Sequence, residues 1–384
     1  MAMMHKAGIP TITAVSAVLM MFSAGAVTIS VDPGESIQAA LNAAKPGDII
    51  EVKGGVYHES LNISKQIVLA ASKNPLLDPG AMGNAITLRA DGTVVSGFEI
   101  RTTRRIGIYV LSDNNTINNN TISSCLDGIR LDHSNHNSIA MNDINNNTNG
   151  IALISSQGNI IDNNEIRDNN IDEKSDCGIF LAYSKGNILK HNDLQRNGDC
   201  SISLRSSSDN LLLGNNVCCS DWYGIALTDS SDNNLIAKNN ASSNEVAGIY
   251  LDSSQENSLQ DNLAVDSSRG IYLNYDSNDN LLEGNRVLDN EKGLHLANHS
   301  SNNTIRNNTA MNNAYGIYLT FSARWNLLYS NRLIDNSYNA YDMGKSNRWD
   351  NGSIGNYYSD LGRIFYVPGG PGVDKHPMAE EPKS

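Results

Sequence analysis

NNTINNNTISSC, residues 114–125, sets the first question: five asparagines with only two isoleucines to bury look like polar filler that could not offset the entropy of folding. Composition argues against disorder. The chain has 384 residues, 40% hydrophobic and 18% charged, apolar enough for a core and too weakly charged to stay unfolded on charge alone. It carries 53 asparagines, far above ordinary usage, so a structural use for them has to be found. A formal net charge of −13 leaves no basic surface for nucleic acid or anionic membrane, and excludes both as partners.

The use is a repeat. GIYV at Gly107, GIRL at Gly128, GIAL at Gly150, GIFL at Gly178, SISL at Ser201, GIAL at Gly224, GIYL at Gly248, GIYL at Gly270, GLHL at Gly293 and GIYL at Gly316 recur about every 23 residues, with one insertion near 171–175. AITL at Ala85 and the stretch around Ala340 extend the series. Within each period the asparagines hold register in two columns. One runs through Asn115, Asn137, Asn159, Asn187, Asn210, Asn234, Asn257, Asn280, Asn303 and Asn326; the other lies five residues later, from Asn120 to Asn331. Two residues after each stands an aliphatic residue, such as Ile117 and Ile122 or Leu328 and Leu333.

Each period thus has three short apolar segments, GIxL, NxI and NxI, divided by polar turns. That pattern predicts an all-β parallel β-helix of about 12 coils of about 23 residues, one coil per period. Leucine-rich repeats need more leucines per period, and helical repeats need a 3.6-residue rhythm that is absent. Stacked aliphatic side chains drive folding at about 1.5–3 kcal/mol each. Asparagine amides bonded from coil to coil, each about 0.5–1.5 kcal/mol net, fix the register, and asparagine is expected to take the left-handed corners.

The ends depart from the repeat. Residues 1–26 read as a secretory signal peptide: a weakly basic start, an apolar run over 14–22 and Ala24-Gly25-Ala26 as a cleavage site. No later segment is apolar enough for a membrane span, so a secreted, cell-surface or periplasmic protein is expected, monomeric or loosely associated. Residues 27–60 read as an N-terminal cap with a short helix from Ser36 (Ile37, Ala40, Leu41 and Ala44 on one face) and a first strand at Ile49. Residues 61–345 read as coils, and 346–384 as a C-terminal cap and tail.

PGESIQAALNAAKPGDIIEVKGGVYHESLNI from Pro33, VVSGFEI at Val94, the GIYL layers and GNYYSD at Gly355 resemble the NosD-type β-helix proteins, near the carbohydrate-binding and sugar-hydrolase branch of pectate-lyase-like folds. The likeness spans nearly all of the chain after residue 26, and its motifs are those that build coils. It implies a right-handed, single-stranded solenoid, associated either with copper delivery to a periplasmic reductase or with binding or cleaving polysaccharide.

A glycosidase needs two carboxylates roughly 5–9.5 Å apart; Asp229 and Asp252 come nearest, without a denser acidic cluster. Asp132-His133 resembles the Asp-Pro-His of alginate epimerases, with the proline missing. Nearly every turn is short, which counts against an enzyme groove. For copper, soft ligands should converge, but His133 and His136 lie many coils from His295 and His299, and Met141, Met311 and Met343 form no column, so copper rests on the resemblance alone. Cys177 and Cys200 precede the Gly position of consecutive coils and are candidates for a disulfide; Cys218-Cys219 are vicinal.

The third position of GIxL should face outward. In four consecutive coils it holds Tyr250, Tyr272, His295 and Tyr318, the expected binding residues, an exposed ladder suited to an extended polysaccharide or cell-surface glycan, or to a protein partner's edge. The sequence therefore favours a non-catalytic binding scaffold over a copper accessory protein, and that over a lyase or hydrolase.

Overall fold

The computed structural model describes residues 25–170, 176–360 and 365–381; the signal-peptide reading and the insertion at 171–175 lie outside them. The chain winds into a parallel β-solenoid with three faces. The GIxL segments form a 13-stranded sheet from Leu61–Ile63 to Tyr338–Asp342. The first NxI segments form a 14-stranded sheet from Thr28–Val31 to Leu327–Tyr329. The second NxI segments form one sheet of eight strands and one of five. They part at Asn240, which makes only isolated bridges to Asn216 and Leu263.

Fourteen turns exceed the twelve expected. The additional coils are at the N-terminal end, where Thr28–Val31 pairs in parallel with the expected first strand, Ile49–Val52, and that strand with Val68–Ala71, none of them carrying the GIxL or NxI signature. A short helix, Ile37–Ala43, lies between the first two. Ser36 caps it by accepting from the Ala39 amide, and Ile37 and Leu41 are buried. At the other end Trp349 is fully buried and donates to Asp342, and the antiparallel pair Phe365–Tyr366 and Val373–Asp374 stacks on Tyr358.

Register keeps like on like. Ile129, Ile151, Ile179 and Ile202 are successive Cα partners, as are Leu131, Leu153, Leu181 and Leu204, and all are completely buried. The asparagine columns are hydrogen-bonded ladders. Asn192 donates its backbone amide and its Nδ2 to Asn215 Oδ1 at 3.0 Å each, and Asn215 does the same to Asn239 at 2.9 and 3.0 Å. Nδ2 also donates back to a carbonyl of the preceding coil, as Asn215 does to Leu189. Two further ladders exist: a third asparagine column through Asn147, Asn169, Asn197, Asn290, Asn313 and Asn336, and a fully buried serine column through Ser134, Ser156, Ser184, Ser207, Ser231 and Ser254.

The left-handed corners are not taken by the ladder asparagines. Positive φ falls on the residue just before each, whatever its identity: Asn114, His136, Glu256 and Trp325 in one column, Asn119, Met141, His191 and Lys238 in the other. The ladder residue needs its ordinary conformation to aim its amide along the axis, so the preceding residue absorbs the turn. Any L residue there costs about 1–2 kcal/mol relative to its preferred conformation, which the ladder bonds offset.

Candidate functional site

The third GIxL position does face outward, and its residues stand in one column: Tyr250, Tyr272, His295, Tyr318 and Tyr341 are successive Cα partners. A second outward column lies beside it, immediately before the Gly. An added Cβ at Gly150 would lie 2.6 Å from Ile166 Cγ2 and 3.3 Å from Asn169 Nδ2, so Gly and the following Ile both face in and the residue before the Gly faces out. Strict period-two alternation fails at this one step. It is why Tyr223, Arg269, Lys292, Tyr315 and Tyr338, in register in this column, escape a reading based on alternation.

Together the columns make a continuous aromatic track. Tyr223 stacks on Tyr250 at 4.4 Å between ring centres, Tyr250 leans on Tyr272 at 5.3 Å, Tyr272 stacks on His295 at 4.5 Å, and His295 meets Tyr318 edge to face at 5.2 Å. Tyr318 stacks on Tyr341, Tyr315 stacks on Tyr338, and Trp222 extends the track at its other end. Ala226 and Ala247 are what let Tyr223 and Tyr250 stack diagonally across coils; with Cys177, Cys200, Phe180 and Tyr272 they form an apolar cluster outside the solenoid core.

This arrangement corrects the expected exposed ladder. Tyr250 is 8% exposed and His295 5%, while Tyr272 and Tyr318 are half-buried. Stacked rings turn their faces to one another, so the track presents ring edges and polar tips to solvent, and open faces only at its ends and corners. Burial raises the phenol pKa of Tyr223 to about 12 and raises those of Tyr250, Tyr272 and Tyr318 too. Burial, helped by the charges of Arg269 and Lys292, lowers His295 to about 3, so its imidazole is neutral. Arg269 Nε donates to His295 Nδ1 at 3.2 Å, which puts the ring proton on Nε2, and that atom is buried without a partner. Arg269 also lies 4.9 Å from the Tyr272 ring centre and Lys292 5.5 Å from that of Tyr318, cation–π contacts that brace the track.

Asp252 and Asp229, the two carboxylates singled out by the sequence, are both engaged. Asp252 accepts from Tyr250 Oη at 2.6 Å and from Ser253 Oγ at 2.9 Å, and Asp229 pairs with Arg205 at 2.9 Å. Tyr109 donates to Asp132, which also holds His133 Nδ1 at 2.6 Å on an exposed corner. Cys177 and Cys200 are Cα partners, as their spacing predicts, and are not joined by a disulfide. The Cys200 thiol is pushed well above its ordinary pKa, first by hydrogen bonding to Cys177 and then by burial. An open cleft of about 370 Å³ adjoins the track, lined by Cys219, Asp221, Glu245, Asp266 and Ser268 among others.

Among the described residues no three His, Cys, Asp or Glu side chains converge on one point, and Met141 sits exposed on its own corner. His295 is flanked by Arg269 and Lys292, whose charges oppose a cation.

Residues 216–362 match the model of the periplasmic copper-binding protein NosD, and residues 106–264 match that of the right-handed β-helix region. No curated protein matches the chain. Among solved structures it is similar to the Dettilon tailspike protein, at 15% identity over 77% of this chain and 70% of that one, with a TM-score of 0.59. The tailspike receptor-binding domain of siphovirus 9NA matches at 10% identity over 80% and 73%, TM-score 0.60. The A-module of the mannuronan C-5 epimerase AlgE4 from Azotobacter vinelandii matches at 15% identity over 81% and 94%, TM-score 0.54. At these identities the likeness concerns the fold. No helix among the described residues is long and apolar enough to cross a membrane. Sequence match, strand register and structural neighbours agree that this chain folds as a right-handed parallel β-helix, with coils over residues 216–362 that resemble those of the NosD proteins.

Proposed function

We propose that the protein is an exported, non-catalytic scaffold that binds an extended polysaccharide along the outward face of the GIxL sheet. The observation that carries this reading is the aromatic track from Trp222 to Tyr341, which follows the rod axis across six successive coils. At about 4.8 Å per coil it spans roughly 24 Å, room for several sugar residues laid end to end.

Because the rings stack on one another, sugars meet phenol edges and polar tips, with Trp222 and Tyr338 offering open faces at the two ends. Such a surface is fixed before the ligand arrives, so little side-chain entropy is lost on binding. The engagement of Asp252 and Asp229 and the short turns favour binding over cleavage. The NosD match is what favours a copper role, and the donor set described above speaks against it.

The test is affinity electrophoresis of the full chain in gels cast with neutral and uronate polysaccharides. Replacing Trp222, Tyr272 and Tyr318 by Ala, with the melting curve checked, should abolish retardation. Retardation unchanged by the triple substitution, or none for the wild type in any gel, overturns the proposal.

A further inference from the structure

Cys218 and Cys219 have no part in the track or in the core. Cys125 is buried, and Cys177 and Cys200 are buried beneath the aromatic cluster, whereas Cys219 is exposed and Cys218 half-buried. The two sulfurs lie 2.8 Å apart. In a regular strand this is impossible, since neighbouring side chains point to opposite sides. Cys218 ends the strand Asn216–Cys218, and Cys219 takes the corner with φ of 65°. The left-handed turn undoes the alternation and swings the second thiol onto the side of the first. The same corner in the flanking coils is also left-handed, at Arg196 and Ser243, and Cys219 is tied to the next coil by its amide to Ser243 O at 3.1 Å. The solenoid therefore holds the sulfurs together, and Cys219 opens on the 370 Å³ cleft.

We propose that Cys218-Cys219 is a reversible redox modification site that closes to a vicinal disulfide by exchange with a low-molecular-weight disulfide. Cys219, the accessible thiol, attacks as the thiolate, breaking the incoming S–S bond and expelling one thiolate. The mixed disulfide on Cys219 is then attacked at Cys219 Sγ by Cys218, which gives up its proton as the second thiolate leaves. Two cysteines are oxidised, one small disulfide is reduced to two thiols, and the two cysteine protons end on those thiols. Burial and its bond to Cys219 raise the Cys218 pKa to about 12, so the first attack falls to Cys219; the second is driven by proximity, because the mixed disulfide sets an electrophilic sulfur directly beside Cys218.

The experiment treats the purified full chain with oxidised glutathione, then alkylates and maps peptides by mass spectrometry. The peptide containing both cysteines should lose about 2 Da, for two hydrogens, resist alkylation, and recover with dithiothreitol. The Cys218→Ser variant should instead hold a glutathione adduct on Cys219, because the second step is gone. A lasting glutathione adduct on Cys219 of the wild type, or full alkylation of both cysteines after oxidant, overturns the proposal.

Discussion

Replacing Asn215 by Ala tests whether the ladders hold the solenoid in register. Its side chain takes part in four hydrogen bonds: Nδ2 to Asn239 Oδ1 and to Leu189 O, and Oδ1 from the Asn192 amide and from Asn192 Nδ2. At about 0.5–1.5 kcal/mol each the loss is about 2–6 kcal/mol, toward the upper end because buried partners are left unsatisfied. Unfolding entropy near 2.1 cal/mol/K per residue gives about 0.8 kcal/mol/K for a chain of this length, so the melting temperature should fall by about 3–8 °C. Asn307 supplies the control. It is a corner residue at φ 56°, and Asn307→Gly, which relieves that conformation, should leave the melting temperature unchanged or slightly raised. Both are read by circular dichroism at 218 nm, roughly the β-sheet minimum. A fall below about 1 °C for Asn215→Ala, or equal falls for the two variants, refutes the division of labour between ladder and corner.

Other outcomes follow from single contacts. Ser201 stands where other coils have Gly, and Ser220 stands where the third ladder mostly has Asn; their hydroxyls lie 2.8 Å apart. At Gly224 an added Cβ would lie 2.7 Å from Asn244 Nδ2, so Ser220→Asn should crowd Ser201 and cost about 1–3 kcal/mol, and adding Ser201→Gly should restore most of it in a urea double-mutant cycle. Additive losses would show that the two serines do not compensate each other. His295 has a folded pKa of about 3 against 6.5 for the free side chain. Between those values the unfolded chain binds the extra proton, so this group's contribution to stability falls as pH drops through the window, and His295→Gln should flatten the acid side of the melting-temperature profile. An imidazole titrating above pH 5 in the folded protein, followed by NMR, would contradict the burial on which this rests.

The solenoid was legible because it is a one-dimensional fold: every residue's neighbour lies one period away, so spacing alone assigns Asn115 to Asn137 and Cys177 to Cys200. The four coils of the tyrosine column were found in the same way. The strand expected at Ile49 is present, but Thr28–Val31 before it was not legible, since it pairs with Ile49–Val52 by backbone hydrogen bonds that any side chains of suitable pattern permit. The second aromatic column was hidden by the inward turn at each Gly.

Sequence by itself determined the period, the inward aliphatic stacks and the coil-to-coil partners, because these depend only on which letters recur and at what distance. Only the tertiary structure decided which corner residue turns left-handed, that Tyr250 and His295 are buried, and that Cys218 meets Cys219. Those outcomes depend on how a chain bends between strands and on how neighbouring rings share space. A linear spacing fixes which side chains are adjacent, but leaves open which way each of them points.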